Sequence, residues 1–398
     1  VLVTNGLYGA GGRPATGMSL TNRVTITNTI TVRSVNGPAV TVIQGTRHPT
    51  TTNGATAIRC VWMTNGATLS GFTLTNGATR ETTGYDGYGG GIYCASTNET
   101  ITNCVLSGNA AYYNGGGTHY GLLNNCTLTG NTARNRGGGS YYAKLIDCVL
   151  SGNSALNSGG GSYYGTLSNC TLVGNAADTG GGSFNSLLSN CTLTENSARS
   201  DGGGTYNGGM KNSLFIGNTA SNNGGGIYSG SVTNCMLSSN SANTGGGAYG
   251  GSLYNCTLTG NSAGSSGGGS SGSGLYNCIA YYNTAPASPN YSGNPAYSCV
   301  TPTPLGGTGN ITNEPRLASA THLAADSPCI GKGRSSYASG TDIDGQAWRS
   351  PPAIGCDEVY AGSITGALSV SAWASHNNVA IGFPVQFQAD IAGRATAS

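Results

Sequence analysis

Charge is scarce. Lys and Arg number 16 and Asp and Glu 14, so charged residues make 8% of the 398-residue chain, against about 25% in ordinary globular chains. The net charge of +2 provides no field to draw nucleic acid or acidic lipid, and neither is expected as a partner. No apolar run reaches about 18 residues, so no membrane-spanning helix is expected. Hydrophobic residues make only 37%, which is little for one large compact core. Proline is limited to 13 residues and glycine follows no Gly-X-Y period, which excludes collagen. What the chain has instead is 69 Gly, 22 Tyr and 13 Cys. A Gly-rich chain with so many regularly placed apolar and aromatic residues is not a disordered one.

The regularity is a repeat. Cysteines stand at Cys104, Cys126, Cys148, Cys170, Cys191, Cys235, Cys256 and Cys278, with Ser213 in the one vacant place. That is nine copies of a 21–22-residue unit. Five residues after each position comes Asn: Asn109, Asn131, Asn153, Asn175, Asn196, Asn218, Asn240, Asn261 and Asn283. Ala follows two later, Leu (once Phe, once Ala) lies two after the Cys position, and Asn or Asp147 just before it. Gly-Gly-Gly precedes by about 12 residues, usually followed by x-Tyr.

Such a unit is too short for a helix pair but holds about three strands with corners. Cys-x-Leu has period 2, so both side chains share a face. Stacked units make an all-β parallel solenoid with strands about 4.8 Å apart, in which equivalent residues form ladders. In-register Asn gains amide bonds between neighbours. About twelve coils give a rod of roughly 60 Å. The expected divisions are irregular coils over 1–87, regular repeats over 88–285, a C-terminal cap over 286–360, and partial strands or an inter-subunit tail over 361–398.

Several residues are candidates for chemistry. The Cys column reads as buried free thiols, small hydrophobes without a His to make a metal or nucleophile site. Cys329 and Cys356 lie outside it, bracket a loop and are the best disulfide candidates. Asp342-x-Asp344-Gly345 is a weak calcium candidate against a plain Asx-turn. Tyr93, Tyr141, Tyr163, Tyr206, Tyr228 and Tyr249, with Phe184 and His119 in the same column, could contact surface glycans or pack on each other. Asn125, Asn169, Asn190 and Asn255 begin Asn-Cys-Thr, the N-glycan acceptor pattern, which here follows from the repeat itself. The acids between 80 and 285 occupy different columns, Asp178 and Asp201 coming nearest to one face. Arg134, Arg136 and Lys144 make a small basic spot. No catalytic residue and no cofactor is expected.

These patterns resemble the right-handed parallel β-helix, or pectin-lyase-like, family over about residues 1–360. Asn255-Cys-Thr-Leu-Thr-Gly-Asn-Ser-Ala263 followed by Gly-Gly-Gly is similar to repeats of bacterial surface β-helix proteins, and polymorphic outer-membrane proteins carry a related pattern. Val1-Leu-Val-Thr-Asn-Gly-Leu-Tyr8 resembles that fold's first coil without the helix that normally precedes it, and a processed or trimmed chain is expected. Asn313-Glu-Pro-Arg-Leu, His322-Leu, Ser327-Pro-Cys-Ile-Gly-Lys-Gly333, Asp342-Ile-Asp-Gly345 and Ala353-Ile-Gly-Cys-Asp-Glu358 resemble the choice-of-anchor Q region of exported bacterial proteins. Cys329 and Cys356 depart from that pattern, where Ala and Tyr or similar are common. Residues 366–398 resemble the opening strands of an immunoglobulin-like or PKD-type module. The resemblance implies an exported, extracellular or cell-surface protein; with the acids scattered over different columns the chain reads as a rod without enzymatic activity, either a fibre subunit joining head to tail through an uncapped coil end and the 366–398 tail, or an adhesin stalk. Because pectate lyases and polygalacturonases share the fold, a carbohydrate-active enzyme or sugar-binding module is the alternative.

Overall fold

A computed structural model describes residues 1–360 and the backbone of two further strands, Ser369–Ala374 and Phe387–Ala392. The coil around Cys148 shows how the sequence dictates the path. Gly137-Gly138-Gly139 leads into Ser140–Tyr141, then Lys144–Ile146, Val149–Ser151 and Ser154–Ala155. Between these segments the chain turns at Tyr142 (φ 54°), Asp147 (φ 53°) and Gly152 (φ 58°), all left-handed. Asn and Gly, which tolerate that conformation, fill the last two corners in most coils.

Four short segments per coil thus replace the expected three. The first two share one 23-stranded sheet, the third builds a 13-stranded sheet and the fourth an 8-stranded one. Pairing from coil to coil is parallel and in register, as in Leu128↔Leu150↔Leu172. Thirteen rungs at about 4.8 Å span roughly 60 Å. The parallel β-solenoid and approximate coil number follow the sequence reading.

The core is a thin column. Leu106, Leu128, Leu150, Leu172, Leu193, Phe215, Leu237 and Leu258 are fully buried, facing the equally buried Leu123, Leu145, Leu167 and Leu253. Each such Leu contributes about 2 kcal/mol by leaving water. The column never widens, which reconciles 37% hydrophobic residues with order.

The triple glycine has three separate reasons. Gly137 is left-handed (φ 65°). A Cβ on Gly138 would lie 2.3 Å from the Ser154 carbonyl oxygen and 2.5 Å from that of Gly160. One on Gly139 would lie 2.5 Å from the Gly161 carbonyl oxygen. Backbone from the same and the next coil closes on this corner, so no side chain fits.

The segment expected as an end cap runs back along the side of the rod. Asn234 Nδ2 donates to Thr341 O, Asn255 Nδ2 to Tyr337 O at 3.0 Å and Asn277 Nδ2 to Arg334 O at 3.0 Å. Cys356 N–H reaches Thr257 Oγ1 at 3.2 Å. The segment therefore lies across successive coils at their Asn corner. Beyond it, Ser369–Ala374 and Phe387–Ala392 pair antiparallel. The remainder of the 361–398 tail lies outside the described residues.

Candidate functional site

The inner Asn column is the most ordered polar feature. Asn153 Nδ2 donates to Asn175 Oδ1 at 3.0 Å and to Leu128 O at 2.9 Å, while Asn153 N–H donates to the same Asn175 Oδ1 at 2.9 Å. The pattern repeats from Asn109 to Asn283, every side chain 0–5% exposed. Each amide therefore satisfies two donors and one doubly used acceptor without carrying charge. Sequence reasoning missed both ends. Asn290, seven residues after Asn283, accepts from Asn283 N–H and Nδ2 and continues the ladder to Thr301 O. Cys60 stands at the other end, its Sγ 3.6 Å from Asn109 Oδ1.

A second ladder lies outside, at the corner before each Cys. Asn125 Nδ2 donates to Asn103 Oδ1, Asn169 to Asp147 Oδ1 and Asn190 to Asn169 Oδ1, at 2.7–3.2 Å. Of the four Asn-Cys-Thr patterns, Asn125, Asn169 and Asn190 are exposed and Asn255 is buried under the side segment.

All 13 cysteines are buried and free. Column thiols donate to carbonyls, as Cys148 Sγ to Ile146 O at 3.1 Å, and Ser213 Oγ does the same to Lys211 O at 2.8 Å. Burial pushes Cys104 up to about 11, partly offset by the Phe72 N–H. The expected Cys329–Cys356 disulfide is not made. Cys329 faces Cys299 of the last coil, while Cys356 Sγ donates to Thr321 O at 3.4 Å.

The aromatic column is one continuous stack. It runs Trp62, Tyr93, His119, Tyr141, Tyr163, Phe184, Tyr206, Tyr228, Tyr249, with centroids 4.2–5.4 Å apart and planes within 18°. Trp62 was not legible as its first ring. Ring faces are occupied by neighbouring rings, so within the stack a sugar has edges and hydroxyls to meet, not faces. Burial pushes His119 down to about 3, which keeps its imidazole neutral among the rings.

The basic spot is divided: Arg134 lies over Tyr112 and Arg136 over Tyr163. Asp178 meets Arg199 at 3.8 Å, and Asp201 accepts from Asn223 N–H and Nδ2, so these two acids serve different partners. A groove of about 870 Å³ runs along the third sheet. Thr132, Ser154, Ala176 and Ser197 line it, with Arg134 and Arg199 its charged residues.

The side segment holds the other cluster. Asp342 Oδ1 accepts the N–H of Asp344 at 3.0 Å and of Gln346 at 2.7 Å, and Oδ2 that of Glu358 at 3.0 Å. This is the Asx-turn arrangement that the sequence offered beside the calcium candidate, with both Asp342 oxygens accepting backbone N–H groups. Asp344 instead meets His322, its Oδ2 lying 2.8 Å from Nε2. Asp357 joins them, and ligand atoms of the three all fall within 4.8 Å. Burial raises Asp357 to about 6, against the lowering effect of the Leu323 N–H and of His322.

No family model matches the chain, and no curated protein does. Among solved structures, the A-module of the mannuronan C-5 epimerase AlgE6 from Azotobacter vinelandii is similar at 16% identity, covering 76% of this chain and 91% of that one, with a TM-score of 0.30.

Proposed function

We propose that the chain is a rigid, non-catalytic rod of an extracellular surface, serving as a fibre subunit or an adhesin stalk. The observation that carries this reading is the inner Asn ladder. It is buried, neutral and unbroken from Asn109 to Asn290, so each coil in that stretch is bonded to the next by side chains as well as backbone. The aromatic stack adds a second lengthwise tie. Mechanical continuity along one axis is what a spacer needs. Head-to-tail joining through the 366–398 tail is supported by its two-stranded hairpin, whose outer edges are unpaired among the described residues and can accept another strand. The side segment's resemblance to a choice-of-anchor Q region fits an exported, anchored protein.

A second reading, a saccharide-binding or carbohydrate-active module on the same rod, is favoured by the third-sheet groove with Arg134 and Arg199. One experiment weighs both. The protein is imaged by electron microscopy at micromolar concentration and, in parallel, incubated with neutral and acidic polysaccharides while reducing ends and unsaturated products are followed. Rods of roughly 60 Å, single or joined end to end, without turnover are expected. Turnover of any polysaccharide overturns the non-catalytic reading, and binding that Arg134→Ala and Arg199→Ala together abolish supports the second.

A further inference from the structure

We propose that His322, Asp344 and Asp357 form a binding site for a zinc-like divalent transition-metal ion that pins the side segment to itself. Three separate pieces of chain meet here: the turn at 319–323, the loop at 342–345 and the stretch at 353–358. Two of the three ligands are held from behind. His322 Nδ1 lies 2.8 Å from both Ser319 Oγ and Thr321 Oγ1, which fixes the ring and points Nε2 at Asp344. Asp357 Oδ2 accepts the Leu323 N–H at 2.8 Å. Partners of this kind are what orient metal ligands.

A second observation concerns Asp357 itself. It is 5% exposed, yet among the described residues its one hydrogen bond is to Leu323 N–H. A carboxylate this buried ordinarily has a cation or several donors. Here it faces a second carboxylate, Asp344, and an imidazole whose Nε2 is already directed to Asp344. A cation between the three removes that deficit. About a tetrahedral ion with bonds near 2.0–2.1 Å, ligand atoms stand roughly 3.3–3.5 Å apart. The His322–Asp344 pair, at 2.8 Å, opens by about 0.5 Å to take the ion, and the other pairs adjust from within 4.8 Å.

The ligand set selects the ion. One imidazole and two carboxylates suit zinc-like ions, whereas calcium and magnesium prefer oxygen alone. His322 and Asp344 side chains are 30% and 37% exposed, which leaves an entry path and room for water as a fourth ligand. On binding, Nε2 gives its lone pair to the ion, and the ring proton resides on Nδ1, donating to Thr321 Oγ1 or Ser319 Oγ. Asp342 takes no part, because its oxygens hold three backbone N–H groups.

The test is titration of the full chain with Co²⁺, read by absorption, with Zn²⁺ competition. One saturable site is expected, with ligand-field bands and without the sulfur charge-transfer bands that a cysteine site would give. His322→Asn and Asp357→Asn are expected to weaken it more than about tenfold, and Cys329→Ser to leave it unchanged. Asp344→Asn, at the most exposed ligand, gives the same readout should a buried variant misfold, as circular dichroism would show. No saturable binding at micromolar metal, sulfur bands, or affinity retained in both His322→Asn and Asp344→Asn overturns the proposal. Millimolar calcium binding indifferent to His322→Asn overturns it too, in favour of an oxygen-only site.

Discussion

The repeat at 104–283 and the side segment at 313–358 solve the same problem in opposite ways. Both must satisfy buried backbone groups at corners where no strand pairs. The repeat uses neutral amides: each Asn accepts an N–H and an Nδ2 from one neighbour and donates to a carbonyl of another coil. The segment uses carboxylates: Asp342 accepts three N–H groups, Asp357 one, and Glu358 Oε2 accepts from Ala353 at 2.9 Å. An amide both donates and accepts, so it propagates along a stack. A carboxylate only accepts, so its pattern ends where it starts, and its strength depends on protonation. Where one residue type suffices for every coil, the sequence repeats. Where it does not, charge gathers.

The largest loss is expected at the ladder's centre. Asn175→Asp places a carboxylate that cannot donate opposite Leu150 O and Asn196 Oδ1, both of which Asn175 Nδ2 now serves at 2.9 Å. A loss of about 4 kcal/mol at pH 7 is expected in chemical denaturation. Gly160→Ala comes next. Its Cβ would stand 2.4 Å from the Ala176 carbonyl oxygen and 2.5 Å from that of Gly181, and neither backbone can yield without parting two coils. About 3 kcal/mol is expected, read the same way.

The side segment responds to pH instead. The Asp357 carboxyl is raised from 3.8 to about 6 by burial, so the folded form holds its proton more tightly than the unfolded one. The resulting stabilisation is complete below about pH 4 and lost as pH rises through about 6. Metal-free protein should lose about 1–2 kcal/mol of segment stability over that range, and Asp357→Asn should flatten the slope, measured by limited proteolysis against pH. The smallest effect is expected at Cys170→Ser. Ser213 already fills the same column, with its hydroxyl on the same kind of carbonyl, so the cost should be about 1 kcal/mol or less in the same denaturation assay.

Much of the repeat was legible because its physics is local and periodic. The Cys, Leu and Asn columns each report one face, and a fixed period puts equal residues on neighbouring rungs. What escaped was whatever broke the period. Asn290 follows Asn283 by seven residues, and Trp62 belongs to the irregular coils before the repeat. The disulfide expected of Cys329 and Cys356 rested on their flanking a loop, but Cys329 is placed by the last coil, against Cys299. The side segment was recognisable as a unit, not as a strap. Its path depends on Asn234, Asn255 and Asn277 meeting carbonyls roughly 60 to 110 residues away, as Asn255 meets Tyr337. His322 was legible only as part of the choice-of-anchor Q resemblance, not as a ligand, because the cluster joins three pieces of chain.

Neutral ladders hold the rod, and carboxylates hold the strap. Amide hydrogen exchange of the metal-free protein at pH 4 and pH 7, corrected for intrinsic rates, tests this most directly. Equal, strong protection across residues 109–283 is expected at both values, with protection of 319–358 that falls as pH rises. A repeat that loses protection with pH as much as the segment does would contradict it.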